Sequence, residues 1–347
     1  MKTDKTYCMS HYLAFRFIKD ENINFFDGLR HTIYKNKNPV SKIKTPEEMD
    51  KIIGKAIEEF YVSNKTAIFL SGGMDSAIVA SYLPKKTKAY TFKCIAEGAI
   101  DETAQAQKYA DKYSLDQEIV EMNWSDFEKL TPEILKFDQT PFHSIEVQLV
   151  KVAKLAKSQG FDKIIIGDAA DYVFGGMDKL LSKDWDFDSF VKRYNYIEPK
   201  RALKDYIDIT NEYEKFRLPD NKIDFVKITQ TDMLEESLNS YASAFAKEGI
   251  EFLDPYSFME MQEPLDLNRI RNGESKYLVR ELFKLHYPEI DIPEKIPMPR
   301  AMNQWLKDFK VSRDEFIPNC TDDMTGDQKW QIYCLETFLN MHDKGQL

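Results

Sequence analysis

The stretch "AIFLSGGMDSAIVA", Ala67 to Ala80, decides the fold. An apolar run, Ala67-Ile68-Phe69-Leu70, meets Ser71-Gly72-Gly73-Met74-Asp75-Ser76, and apolar residues return at Ala77-Ile78-Val79-Ala80. The first run suits a short buried strand and the second a helix. Glycines let backbone N–H groups approach a ligand closely. A helix start adds unpaired N–H groups and a partial positive charge. Strand, glycine turn and helix therefore form an anion-binding arrangement, to which Ser71 and Ser76 add donors. Asp75 would repel a phosphate directly. It makes sense if Mg2+ lies between them, because that ion is held by one or two carboxylates plus phosphate oxygens. The turn is neither a Walker loop, since no Gly-Lys-Ser/Thr follows, nor a Gly-x-Gly-x-x-Gly dinucleotide turn.

Outward from this turn the pattern alternates. A helix is expected from about Asp75 to Leu83, ended by Pro84, and then a strand, "AYTFKCI". A helix capped by Asp101, "DETAQAQKYADKYS", precedes a third strand, "QEIVEM". A helix "SIEVQLVKVAKLAKSQG" ends at Gly160 before the buried strand "DKIIIGD". Alternation of this kind with continuous apolar strands predicts an α/β fold with a doubly wound parallel sheet. Upstream, Thr45-Pro46-Glu47-Glu48 reads as a helix start running to about Tyr61. "YLAFRFI" fits a strand or a short helix, and "YKNKNPVSKIKTPEE" a linker. After about Lys179 the strand signal fades into aromatic and charged segments that read as helices. The expected organisation is an extension over 1–50, a nucleotide-binding core over 51–185 and a helical part over 186–347.

The totals narrow the function. In 347 residues, 43% hydrophobic and 31% charged, no run is long enough to span a bilayer. The N-terminus carries no secretory signal pattern. Cys8, Cys94, Cys320 and Cys334 match neither a zinc spacing nor a disulfide framework, so reduced thiols in a cytoplasm are expected. The net charge of -10 argues against nucleic acid as the main partner. The five histidines show no ligand spacing. His143, in "DQTPFHS", reads as a solvated loop residue, and Asp138 and Ser144 share its ambiguity between loop and pocket.

"LSGGMDS" resembles the pyrophosphate loop of the ATP pyrophosphatases, and most closely that of the asparagine synthetase branch. "IIIGDAADYVFGGMD" is similar to that branch's second motif, with Gly167, Asp168, Asp171, Phe174, Gly175 and Gly176 in register. "SKYLVRELF" resembles its lysine–leucine–arginine helix and places Lys276 and Arg280. "YPEIDIPEKIPMPRAMNQWL" places Lys295, and "EFLDP" resembles Pro-Phe-Leu-Asp. The motifs fall in the family's order across about residues 50–310.

The resemblance implies an AMP-forming carbon–nitrogen ligase. A carboxylate would attack the α-phosphorus of ATP, pyrophosphate would leave, and an amine or ammonia would displace AMP to give an amide. It implies that Ser71, Gly72, Gly73, Ser76, Lys276 and Lys295 stabilise the pyrophosphate. Asp75 and Asp171 would hold Mg2+. Phe69, Leu70, Cys94, Gly167 and Arg280 would line the nucleotide, and Asp168 would act as acid/base, against a structural reading in which it caps the turn after the strand. Family members carry an N-terminal glutaminase whose cysteine follows the initiator methionine; here Lys2 follows Met1 and Cys8 is internal. A glutaminase domain is therefore not expected, and ammonia from solution, a separate glutaminase subunit or a substrate amine stays open, as does a homo-oligomer. Residues 1–50 are expected to pack on the sheet. Tyr172 stands where the family has glutamate, Ala169 and Ala170 replace a glycine and a small hydroxyl residue, and Lys247-Glu248-Gly249 replaces Glu-x-Arg. The acceptor side has thus changed, which points to a non-standard carboxylate or amine. Two alternatives accompany this reading: a partner-dependent, non-catalytic subunit, and an adenylating tRNA-modification enzyme.

Overall fold

A computed structural model describes residues 2–296 and 298–347. Met1, in the N-terminal extension, and Pro297, inside the stretch that places Lys295, lie outside the described residues. The expected alternation is present. Helix α1 (Lys5–Phe15) and helix α2 (Pro46–Phe60) lead into strand β1 (Thr66–Phe69), helix α3 (Met74–Ala80) and strand β2 (Lys88–Cys94). Helix α4 (Thr103–Tyr113), strand β3 (Asp116–Met122), helices α5 (Trp124–Asp138) and α6 (Ile145–Ser158) and strand β4 (Lys163–Ile165) follow. Farther on come helix α7 (Leu234–Glu248), strand β5 (Glu251–Leu253), helix α8 (Tyr277–His286) and helix α9 (Gly326–Asp343).

The main sheet is parallel throughout, in the order β5-β4-β1-β2-β3. The chain starts in the middle, winds outward through β2 and β3, then returns to the other side of β1. Successive strand residues point to opposite faces, and the core divides accordingly. Ala67 and Phe69 join α1, α5, α6, α7 and α9 on one face. Ile68 and Leu70 join α2, α3, α4 and α8 on the other. A strand buried on both sides needs the continuous apolar run that β1 shows.

Several local readings hold and some do not. Thr45 and Glu48 form the expected reciprocal cap on α2, which stops at Phe60. Asp101 accepts from Thr103 N at 3.0 Å at the start of α4. "YLAFRFI" resolves as the end of α1 and the chain just beyond it, and "SKI" within the expected linker pairs as a short strand with Met259–Met261. Helix α5 was not foreseen, although Asn123 and Asp126 cap it reciprocally. The fading of strand signal after Lys179 holds for the main sheet except for β5, which lies in "EFLDP" and completes its edge; three further strands, Arg217–Leu218, Lys222–Ile223 and Met259–Met261, form small two-stranded pairings. Among the described residues no helix is long and apolar enough to cross a membrane.

Candidate functional site

The winding reverses between β1 and β4. In open parallel sheets the crevice beyond the strand ends at such a reversal is where ligands bind. The turn after β1 and the turn after β4 both open there, onto a cavity of about 170 Å³. Phe69 and Leu70 at the tip of β1, Phe92 in β2, and Ile166 and Gly167 after β4 form its floor. Ser71, Gly73, Asp75 and Ser76 give one wall, and Asp168, Asp171 and Tyr241 another. Lys276, Arg280 and Lys295 approach from α8 and the segment after it.

The glycine turn is held by its own hydroxyls. Ser71 N donates to Ser76 Oγ at 3.0 Å, Gly73 N donates to Ser71 Oγ at 3.1 Å, and the two hydroxyls lie 2.9 Å apart. Both serines therefore shape the turn. Gly72 backs onto the buried Glu102, a cavity residue that the sequence reading missed. Gly167 passes so close to α3 that an added Cβ would lie 3.1 Å from the carbonyl carbon of Asp75. This contact joins the two turns.

Across the cavity runs an alternating ion array. Lys276 Nζ lies 2.6 Å from Asp75 Oδ2 and 2.7 Å from Asp171 Oδ1. Lys295 Nζ lies 2.8 Å from Asp171 Oδ2 and donates to Gly176 O at 2.6 Å. Lys276 is 5% exposed. Burial would lower its ammonium, but Asp171 and Asp75 outweigh that and raise it above the ordinary lysine value. Burial raises the Asp75 carboxyl, and Lys276 offsets this only in part. Burial pushes Asp171 the same way, but Lys276 and Lys295 hold it below its ordinary value. Lys276 opens α8 in the left-handed region, φ 52°, which a lysine rarely adopts. Gly176 has no room for a side chain, since a Cβ would lie 2.0 Å from Asp171 Oδ1.

The donor set fits a magnesium ion. Asp75 and Asp171 converge on one cation, and Asp75 Oδ1 is buried without a hydrogen-bond partner among the described residues. Two carboxylates leave the remaining positions of that ion to phosphate and water oxygens. In this structure the Lys276 ammonium stands between them.

Among the described residues the turn after β4 is capped by Asp254 rather than by Asp168. Asp254, in "EFLDP", accepts from Asp168 N at 2.9 Å and Ala169 N at 2.7 Å. The Asp168 carboxylate is freed to face the cavity, where Ser237 Oγ donates to Oδ2 and Tyr241 OH lies 3.5 Å from Oδ1. Burial raises this carboxyl to about 6, against Ser237 and with help from the charges of Asp171 and Glu236.

Cys94 is not brought to the cavity: its thiol donates to Pro299 O at 3.1 Å. Arg280 reaches it but spends Nε on Ser275 O at 2.6 Å. His143 is buried, not solvated, and burial, with Arg16 and Arg300 nearby, keeps its ring neutral. Asp254, Ser237, Tyr241, Glu102 and Arg16 went unforeseen. "EFLDP" had marked Asp254 by resemblance without assigning it a role. A clue to Ser237 was available in "LEESLNSYAS", where Ser237, Ser240 and Ser243 recur at three-residue spacing.

The asparagine synthase family model matches residues 61–250, more than half of the chain. The chain belongs to the asparagine synthase family. Amidase chry2 of Gibberella zeae is 31% identical to it over 137 residues, 32% of this chain and 19% of that protein. The chain thus spans about a fifth of that relative's length. Among solved structures, the NH3-dependent NAD synthetase of Campylobacter jejuni is similar over 38% of this chain and 58% of its own, at 15% identity and a TM-score of 0.25. The NMN synthetase of Francisella tularensis is similar over 73% of this chain and 100% of its own, at 11% identity and a TM-score of 0.29. Likenesses at these TM-scores carry no argument about function. Membership of the asparagine synthase family supports an ATP-dependent synthetase in general terms.

Proposed function

We propose that this protein forms an amide bond from a non-standard carboxylate or amine through an acyl-adenylate, with release of AMP and pyrophosphate. The observation that carries this reading is the array Asp75–Lys276–Asp171–Lys295 at the winding reversal, beside Asp168. A triphosphate lying along the glycine turn would meet two fixed ammonium groups. As the carboxylate oxygen bonds the α-phosphorus and the bridging P–O bond breaks, negative charge grows on the departing pyrophosphate. Lys276 and Lys295 are preorganised to stabilise that charge. Mg2+ held by Asp75 and Asp171 would supply further charge neutralisation on the phosphates.

In the second half an amine nitrogen adds to the acyl carbon, the acyl–O–phosphate bond breaks, and AMP leaves. The nitrogen must lose a proton. Asp168, raised to about 6, is ionised near neutral pH and still basic enough to take it. Ser237 fixes the carboxylate through Oδ2 and leaves Oδ1 the freer oxygen. The test is incubation with ATP, Mg2+, candidate acids and an amine or ammonium. AMP and pyrophosphate are the expected products, whereas ADP and phosphate would refute the reading. Nucleotide binding with no turnover until a separate glutaminase is added would favour a partner-dependent subunit.

A further inference from the structure

Beyond Asp168, on the side of α7 away from the nucleotide cavity, lies a second cavity of about 230 Å³. Asp138, from the end of α5, and Glu146, from the first turn of α6, both line it. Glu146 is 3% exposed. Its Oε1 accepts from His143 N at 3.3 Å, while its Oε2 is buried with no hydrogen-bond donor among the described residues. Asp138 accepts from Ser243 Oγ. Asn239, Thr140 and Tyr34 complete the polar wall.

Neither acid has a salt-bridge partner among the described residues. The cations nearby are committed elsewhere. Arg16 lines the chamber but pairs with Glu236 at 2.7 Å, and Lys247 pairs with Glu248 at 2.9 Å. Two carboxyls buried side by side cannot both ionise cheaply, so one proton stays between them. Burial accordingly raises both groups, Glu146 well above its ordinary value and Asp138 to about 7. Such a chamber repels anions. It is satisfied by a ligand that brings its own positive charge and several N–H donors, which can replace the shared proton.

We propose that this chamber binds the ammonium end of a small primary amine, with Glu146 Oε2 and Asp138 accepting its N–H groups. That the amine is also a reactant rests on the amide-forming reading above. Helix α7 links the two places. Ser237 holds Asp168, and Asn239 and Ser243, two and six residues later, line the chamber, about 3–9 Å along the axis.

The test omits nucleotide, so it does not depend on adenylation. The full chain is titrated with methylammonium chloride, with tetramethylammonium chloride and sodium chloride at matched ionic strength, and followed by NMR and thermal unfolding. Methylammonium is expected to bind saturably, and tetramethylammonium, which has no N–H, is not. Glu146→Gln should weaken binding about tenfold or more, the loss of one charge-assisted hydrogen bond. Asp138→Asn provides a second variant should the first fold poorly. No saturable response, an equal response to tetramethylammonium, or affinity unchanged in both variants would overturn the proposal. Methylammonium binding without AMP and pyrophosphate formation would leave the chamber standing and remove its role in the reaction.

Discussion

Replacing Lys276 by methionine removes one charge and little volume, and it strips two carboxylates of their shared counter-ion. Lys276 is 5% exposed and lies within 2.7 Å of both acids. Breaking a buried ion pair on one side costs about 3–5 kcal/mol. In a chain of this length that is a fall of about 4–7 °C in the unfolding midpoint. The cost depends on pH, and its sign follows from the groups involved. Lys276 is raised in the folded protein, so its contribution is complete below the ordinary lysine value and stays flat across pH 6–9. In the variant, Asp75, already raised by burial, loses its offsetting charge and rises further. A carboxyl raised on folding supports stability when protonated and takes it away as pH climbs through the raised value. The loss should therefore deepen as pH rises. Magnesium ions should restore part of it, since a ligand of the folded state stabilises by mass action. Thermal and urea unfolding from pH 6 to 9, with and without magnesium chloride, measures all of this. A loss below about 1 kcal/mol, or one that does not change with pH, would refute the shared-cation account.

Gly176→Ala forces a Cβ to within 2.0 Å of Asp171 Oδ1 and should cost about 1–3 kcal/mol with loss of nucleotide binding, checked by calorimetric titration with ATP. Asp168→Asn should slow amide formation about 10²–10⁴-fold. It should also abolish the rise in rate through pH about 6, seen in a pH–rate profile. Because Asp168 is raised on folding, it withdraws stability above that pH, so the asparagine variant should be no less stable than the wild type at pH 8. Arg16→Met leaves Glu236, 4% exposed, without its partner, and should cost about 3 kcal/mol by urea unfolding. Glu236 is already raised by burial, so that cost too should grow with pH.

The sheet was legible because β1 and β4 are buried on both faces and must be written as apolar runs, and because the glycine turn between β1 and α3 has few other uses. The site residues on those turns were legible for the same reason. Asp75 and Asp171 follow the strands within a few residues, and Lys276 and Lys295 sit in motifs whose order matched the family. What escaped was what comes from far away in the sequence. Asp254 acts on a turn 86 residues upstream, and Ser237 on Asp168 across 69. Neither contact leaves a local pattern that names its partner, because a hydrogen bond between distant segments fixes no feature in the other one. His143 was misread because a Pro-Phe-His-Ser segment looks like surface turn chemistry, whereas α1, α6 and α7 close over it. Cys94 was placed at the nucleotide by the family resemblance, which fixes a position along the chain but not the direction of its side chain, and its thiol turns toward Pro299 O.

Helix α7 explains why the altered acceptor motifs and the N-terminal segment belong to one account. A single π turn, Thr229–Met233, precedes it. The helix then buries Glu236, Ser237, Ser240 and Ser243, residues that a helix core normally excludes. Three of the four are answered by different parts of the chain. Arg16, just past α1, answers Glu236; Asp168, after β4, answers Ser237; and Asp138, at the end of α5, answers Ser243. Residues 1–50 therefore do more than pack on the sheet. Arg16 fixes the residue next to the one that holds the proposed base, through a pair buried enough that either partner alone would be costly. A change of acceptor would then require compensating changes in α7 and in the segment that carries Arg16, while the glycine turn and the lysines that face the phosphates could stay as they are.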